Sequence, residues 1–210
     1  MDEESQASEP RGPSDSPDVP YAIIAIAASA GGLMALTEVL AALPGDLPVP
    51  VVVVQHLDPR HRSLMAEILD RRTALQVCEA QEGDDLRAGT VYIAPPDHHL
   101  LVNGDGTLSL SQSKLVHFVR PSADLLFESM AASYADRAIA VVLTGSGRDG
   151  SLGIEGVKKM GGTVIAQEVG SAQFSGMPSA AIETGAVDFV LPLEEIGPAL
   201  IALLGGGRAQ

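Results

Sequence analysis

The chain has 210 residues, of which 46% are apolar, enough for one domain with a sizeable core and not for two large ones. A net charge of −14, from 27 acidic and 13 basic residues, opposes non-specific binding to nucleic acid or anionic membranes. The single cysteine, Cys78, excludes an internal disulfide and a cysteine-based metal cluster and reads as a small strand hydrophobe in a reducing compartment, so a cytoplasmic location is expected.

Residues 1–19 carry six carboxylates against Arg11 alone, with three prolines and several serines, and are expected to form an acidic, disordered tail. The apolar stretch that follows, from Tyr21 to Ala30, is too short to span a bilayer and follows acidic residues, unlike a secretory signal. From residue 20 to 205 strand-like runs alternate with helical patterns. This is the signature of a doubly wound α/β domain with a mostly parallel sheet and helices on both faces, in three layers.

The first strand runs to Ala28. Leu33, Leu36, Leu40 and Leu43 then recur at helical spacing until Pro44-Gly45. A strand at 49–54, a helix near 60–72, and strands at 74–80 and 90–94 follow. His99–Asn103 and Thr107–Ser111 flank Gly104-Asp105-Gly106 and predict a β-hairpin inserted into the βα rhythm. Pro121 suits the first turn of a helix on which Leu126, Met130 and Tyr134 share a face. Three strand–helix pairs complete the chain: 139–144 with 150–160, 163–167 with 178–184, and 187–191 with 193–204. Residues 206–210 are expected to fray.

Three polar residues each follow a strand: Ser29 after the first, His56 after the second, and Asp149 after the run ending at Thr144. In an open parallel sheet those ends form one edge where ligands bind, so a nucleophile, a base and an orienting carboxylate can converge there. Each also has a plainer reading. Ser29 and Asp149 suit helix N-caps, and His56 suits a structural loop histidine, with Asp58 close by.

The small neighbours Ala30, Gly31 and Gly32 permit close substrate approach, and the loop Gly145-Ser146-Gly147-Arg148-Asp149-Gly150 could turn amides toward an oxyanion. The G-x-S-x-G elbow of the α/β-hydrolases is absent, as are a dinucleotide fingerprint and a Walker loop. His98 and His99 lack further ligands at metal-site spacing, and His61 and His117 read as surface residues. No metal or cofactor is expected.

At these residues the chain resembles the CheB family of chemoreceptor protein-glutamate methylesterases, from about Ala22 to Leu203. Ile26–Gly32 is similar to the family's I-G-A-S-T-G-G, Gln55-His56 to its Q-H-M-P, and Leu143–Gly150 to its L-T-G-M-G-x-D-G. Tyr92–His99, Arg120–Phe127 and Gly176-Met177-Pro178 resemble Y-I-A-P-x-x-x-H, R-P-S-V-D-x-L-F and G-M-P. Ala27, Ala30 and Ser146 depart from the pattern and Pro59 is displaced by one position, but no triad member is lost.

The resemblance implies Ser29 as nucleophile, His56 as general base and acid, and Asp149 as the group orienting His56. Ala30, Gly31, Gly145, Ser146 and Gly147 would line the oxyanion pocket, with His99 and Arg120 at the substrate rim. The implied substrate is a glutamyl 5-methyl ester on the cytoplasmic helices of a methyl-accepting chemoreceptor, with glutamine deamidation as a further activity and a separate signalling regulator as a further partner. The family's N-terminal receiver has no counterpart in the residues before the first strand, so activity without phosphorylation of an attached receiver is expected. Two other readings remain open: a CheB-like binding domain without catalysis, and a serine esterase or amidase with a different substrate.

Overall fold

The computed structural model describes residues 19–56 and 63–205, in which seven strands pair side by side as one parallel sheet. In chain order the elements are β1 (Ile23–Ala28), α1 (Gly32–Ala41), β2 (Val51–Gln55), α2 (Met65–Asp70), β3 (Gln76–Glu79), β4 (Thr90–Ile93), β5 (His99–Val102), β6 (Leu108–Ser111) and α3 (Ala123–Tyr134). They continue with β7 (Ala138–Val142), α4 (Ser151–Lys159), β8 (Thr163–Gln167), α5 (Gly176–Glu183), β9 (Phe189–Leu191) and α6 (Leu193–Gly205). The sheet order is β3-β4-β2-β1-β7-β8-β9, and β5 and β6 form a separate antiparallel pair. The predicted three-layer α/β architecture and the hairpin insertion are thus both present. The predicted tail, apart from Val19, and residues 206–210 lie outside the described residues.

Both faces of the sheet are covered, which explains why β1, β2 and β7 read as unbroken apolar runs rather than as alternating ones. Ile23, Ala25 and Ala27 of β1 point to one layer with Phe127, Met130, Ile154 and Met177, beneath α3, α4 and α5. Ile24, Ile26 and Ala28 point to the other, with Leu36, Leu40, Leu69 and Leu200 from α1, α2 and α6. The single core expected from composition is therefore two apolar layers divided by one sheet.

Pro121 departs from its predicted place. It precedes the α3 N-cap, Ser122, and follows a cis peptide bond from Arg120, so it lies outside the helix.

The sheet reverses direction of winding at β1: the chain passes from β1 to β2 on one side and returns through β7 on the other. The carboxyl ends of β2, β1 and β7 are therefore neighbours at a topological switch point, where open α/β sheets place their ligands. Phe127 anchors the layer beneath that point and is fully buried. Phe127→Ala is expected to cost about 3–5 kcal/mol in chemical denaturation, the range for deleting a buried aromatic ring. A loss below about 1 kcal/mol would show that α3 does not depend on this contact.

Candidate active site

The ends of β1 and β2 continue their ladder for one more residue. His56 N–H donates to Ala28 O (3.2 Å), while on the other side Ser29 N–H donates to Thr144 O (3.0 Å). Ala28 is in register with Gln55, so Ser29 and His56 emerge from adjacent strands roughly 4.8 Å apart. The Gln55 side chain binds the two exits together: its Nε2 donates to Ser29 O (2.7 Å) and to His56 O (3.0 Å).

Ser29 does not cap α1. The N-cap is Gly31, at φ 77°, and the Ser29 side chain hydrogen-bonds no other described residue. Gly31 is required by that left-handed backbone; a Cβ there would also lie 2.6 Å from Gln173 Oε1, the end of an exposed side chain that would have to shift. Gly145 meets a similar limit: a Cβ would stand 2.8 Å from Ser29 Cβ and against Met177 Sδ.

His56 Nε2 lies 2.7 Å from Asp149 Oδ2, which directs Nδ1 away from the carboxylate. Asp149 is 4% exposed. It caps a helix, but not the one that follows it. Gly150 is the N-cap of α4, whereas Asp149 accepts from the first-turn amides of α3: Ala123 N–H on Oδ2 (2.6 Å) and Asp124 N–H on Oδ1 (3.2 Å). Ser122 Oγ donates to Oδ1 at 2.8 Å. Burial pushes the carboxyl up, but donation from His56, Ala123 and Ser122 outweighs it, and the group sits below the ordinary aspartate range.

Asp124 returns the favour. Its Oδ1 accepts from Leu152 N–H (3.0 Å) and Gly153 N–H (2.8 Å) in the first turn of α4, so the two helices cap one another. Its buried Oδ2 has no hydrogen-bond partner among the described residues and faces His117 Nε2 at 3.6 Å; His117 is exposed, as expected of a surface residue. Burial, reinforced by the charge of Asp149, pushes the Asp124 carboxyl up.

The remaining predicted residues divide. The carbonyl of Ala30 accepts from Thr144 Oγ1 (3.0 Å), and the amides of Ala30 and Gly31 bond no described residue. Ser146 and Gly147 are exposed, with Gly147 at φ 91°. Gly145 is corrected as an oxyanion donor, because its N–H is spent on Phe174 O (2.9 Å); its role is to make room beside Ser29.

His99 is also corrected, while Arg120 stays half-buried and tied to its neighbours. His99 is 0% exposed, accepts Ser122 N–H on Nδ1 (3.1 Å) and meets Lys114 O with Nε2 (3.1 Å), which leaves no ring atom for a substrate. Burial holds its pKa down, so the ring is neutral. Arg120 clamps two loops, through Nε and Nη2 to Asp97 Oδ1 and through Nη1 to Gln112 O and Ser113 O. His98 bonds the carbonyl of Pro96 in its own loop. Asp58, Pro59 and His61 lie outside the described residues. Cys78 packs against the core, and burial raises its thiol pKa.

Reading the sequence missed the scaffold: Gln55, Ser122, Asp124 and Thr144. All four fall within quoted motifs, so a signal was present, but nothing local assigned their partners.

A serine beside a histidine–carboxylate pair at the switch point of a parallel sheet defines a hydrolase-type site, and the comparisons with known proteins agree. Residues 24–200 match the CheB methylesterase family. The chain is 42% identical over 188 residues to a Moorella thermoacetica protein-glutamate methylesterase/protein-glutamine glutaminase, covering 88% of this chain and 44% of that protein. It is 42% identical over 185 residues to the protein-glutamate methylesterase FrzG of Myxococcus xanthus, covering 88% of this chain and 55% of that one. The chain thus spans about half the length of these two relatives. A Leptospira interrogans relative, 40% identical over 183 residues, is covered over 95% of its length and 87% of this chain. The Thermotoga maritima CheB methylesterase catalytic domain superposes with a TM-score of 0.84 at 40% identity, covering 88% of this chain and all of that one. The chain belongs to the CheB methylesterase family.

The two carboxylates at the helix ends predict opposite responses to acid. A carboxyl raised by the fold costs stability above its unfolded pKa, near ~4, and that cost disappears as the pH falls below it. Asp124→Asn keeps an oxygen for the α4 amides while removing the charge. The variant should melt about 2–4 °C above the parent at pH 7 and level with it at pH 3. A lower melting temperature at pH 7 would mean that the Asp124 charge supports the fold.

Proposed function

We propose that this chain hydrolyses glutamyl 5-methyl esters on the cytoplasmic helices of a methyl-accepting chemoreceptor, releasing methanol and restoring glutamate, and that it also deamidates receptor glutamines. The observation that carries this reading is the His56–Asp149 pair, 2.7 Å apart on a buried carboxylate, beside a Ser29 hydroxyl that bonds no described residue in a chain of the CheB methylesterase family. The substrate places the protein in the cytoplasm. Among the described residues no helix is long and apolar enough to cross a membrane.

Ser29 Oγ attacks the ester carbonyl as His56 Nδ1 takes its proton. Asp149, ionised and held by α3, stabilises the imidazolium through Nε2. The oxyanion of the tetrahedral intermediate is met by the unbonded amides of Ala30 and Gly31 and by the exposed Ser146–Gly147 turn. Protonated His56 then gives its proton to the departing methoxide, and methanol leaves. Water, deprotonated by His56, attacks the acyl-serine, and His56 returns that proton to Ser29 Oγ as the acyl bond breaks, releasing the glutamate side chain with Ser29 restored. No cofactor takes part in these steps. For glutamine the leaving group is ammonia and the remaining steps are the same. The cycle needs only groups of the domain from 20 to 205, so the tail contributes no reacting atom.

Ser29→Ala should reduce methanol release from methylated receptor to under about a tenth of wild type with melting unchanged, since Gly31 rather than Ser29 caps α1. A serine-directed phosphonate should label Ser29; an unlabelled but folded protein would favour a binding domain over an enzyme.

Asp149→Asn should cut turnover by ~10³–10⁴, because an amide cannot stabilise the imidazolium. It should also lower stability by about 1–2 kcal/mol, because one of its two acceptor oxygens facing α3 is replaced by a donor. Turnover within about threefold of wild type would remove Asp149 from the mechanism.

A further inference from the structure

Ser122 occupies the N-cap of α3 with extended backbone (φ −114°, ψ 132°), the place where a serine ordinarily turns its hydroxyl onto a first-turn amide. It makes no such bond. The amides of Ala123 and Asp124 are taken by Asp149, and Ser122 Oγ lies instead 2.8 Å from Asp149 Oδ1. We propose that Ser122 is a positioning residue for the triad, its hydroxyl fixing the rotation of the Asp149 carboxylate so that Oδ2 faces His56, while His99 holds Ser122 in place. The inference rests on the triad reading above and adds two residues to it.

The proton's direction is settled by chemistry. An ionised carboxylate only accepts, so Ser122 is the donor. The terminal torsion of an aspartate is soft, and without Ser122 the Oδ1 atom keeps only the longer contact with Asp124 N–H, 3.2 Å. Apart from His56 itself, the carboxylate is then held by two backbone amides alone, Ala123 N–H on Oδ2 (2.6 Å) and Asp124 N–H on Oδ1, and loses the one side-chain donor that opposes rotation away from His56 Nε2.

Ser122 is itself held from behind. His99 Nδ1 accepts the Ser122 N–H, so its proton is on Nε2, donated to Lys114 O. Both histidine and serine are fully buried, and a charged His99 would set one N–H against another. The chain of contacts thus runs from Lys114 through His99, Ser122 and Asp149 to His56.

An orienting contact of this kind matters most when His56 is charged, in the transition state, so its loss should fall on kcat and spare KM. The test compares Ser122→Val with Ser122→Thr in the full chain; the two are close in shape and differ by the hydroxyl. Ser122→Val should lower kcat for methanol release about 10- to 100-fold, the scale of one hydrogen bond to a charged group, with KM within about twofold. Ser122→Thr should recover most of that loss.

In the Ser29→Ala background, the NMR titration of the His56 ring should shift with Val and stay with Thr. If the Val variant does not melt cooperatively, Ser122→Ala takes its place. Wild-type kcat and an unmoved His56 titration in the variant lacking the hydroxyl would overturn the proposal, as would equal losses with Val and Thr. Should Ser29→Ala and Asp149→Asn abolish turnover in that event, the triad stands without Ser122. Should they retain it, the triad reading is what failed.

Discussion

The site depends on one ionised group in a buried place, the Asp149 carboxylate. Taking such a charge out of water costs several kcal/mol unless donors replace the lost hydration. Four do so, from His56, Ser122, Ala123 and Asp124, and they fill the carboxylate's acceptor positions. Two are free amides at the positive end of α3, whose dipole favours an anion there. The helix needs the carboxylate as much as the carboxylate needs the helix. The His56–Asp149 pair is therefore bonded into the packing of α3, and the reciprocal bond from Asp124 extends the same unit to α4.

On the other flank the site is held by backbone. Gln55 joins the exits of β1 and β2 at the carbonyls of Ser29 and His56, and Thr144 bonds Ala30 O while its own N–H rests on Gln167 Oε1. Phe174 is pinned from both sides, its N–H on Thr144 Oγ1 and its carbonyl on Gly145 N–H. Among the described residues these bonds leave the Ala30 and Gly31 amides unbonded next to Ser29. The small residues follow from two causes: at Gly145 the space for a Cβ is already filled by Met177 and Ser29 itself, and at Gly31 the backbone is left-handed.

Much of this was legible in the sequence because the signals are local. Strands covered on both faces must be continuously apolar, which marked β1, β2 and β7, and the polar residue ending each one marked Ser29, His56 and the loop to Asp149. What stayed hidden depends on neighbours distant in the chain. Asp149 looked like a cap of the helix it precedes, but Gly150 takes that place and Asp149 reaches a helix 26 residues earlier. His99 and Arg120 stood in motifs that resemblance assigned to the rim. The burial of His99 and the bonds of the two residues to Ser122, Lys114, Asp97, Gln112 and Ser113 appear only once the hairpin folds back on α3. Composition suggested one core, and only the sheet's two-sided packing divides it.

Two aspartates at neighbouring helix ends share a residue type and differ in fate. Asp149 has donors on both oxygens, which lowers its carboxyl; Asp124 has donors on one, and burial with the charge beside it raises the other way. Each ionisation is felt by its neighbour, so the better solvated member takes the charge first. The arrangement biases the negative charge toward the oxygen that faces His56 and away from the Asp124 oxygen that has no donor to receive it. The division of roles between the two carboxylates comes from the number of N–H and O–H groups aimed at each, which the packing of α3 against α4 sets.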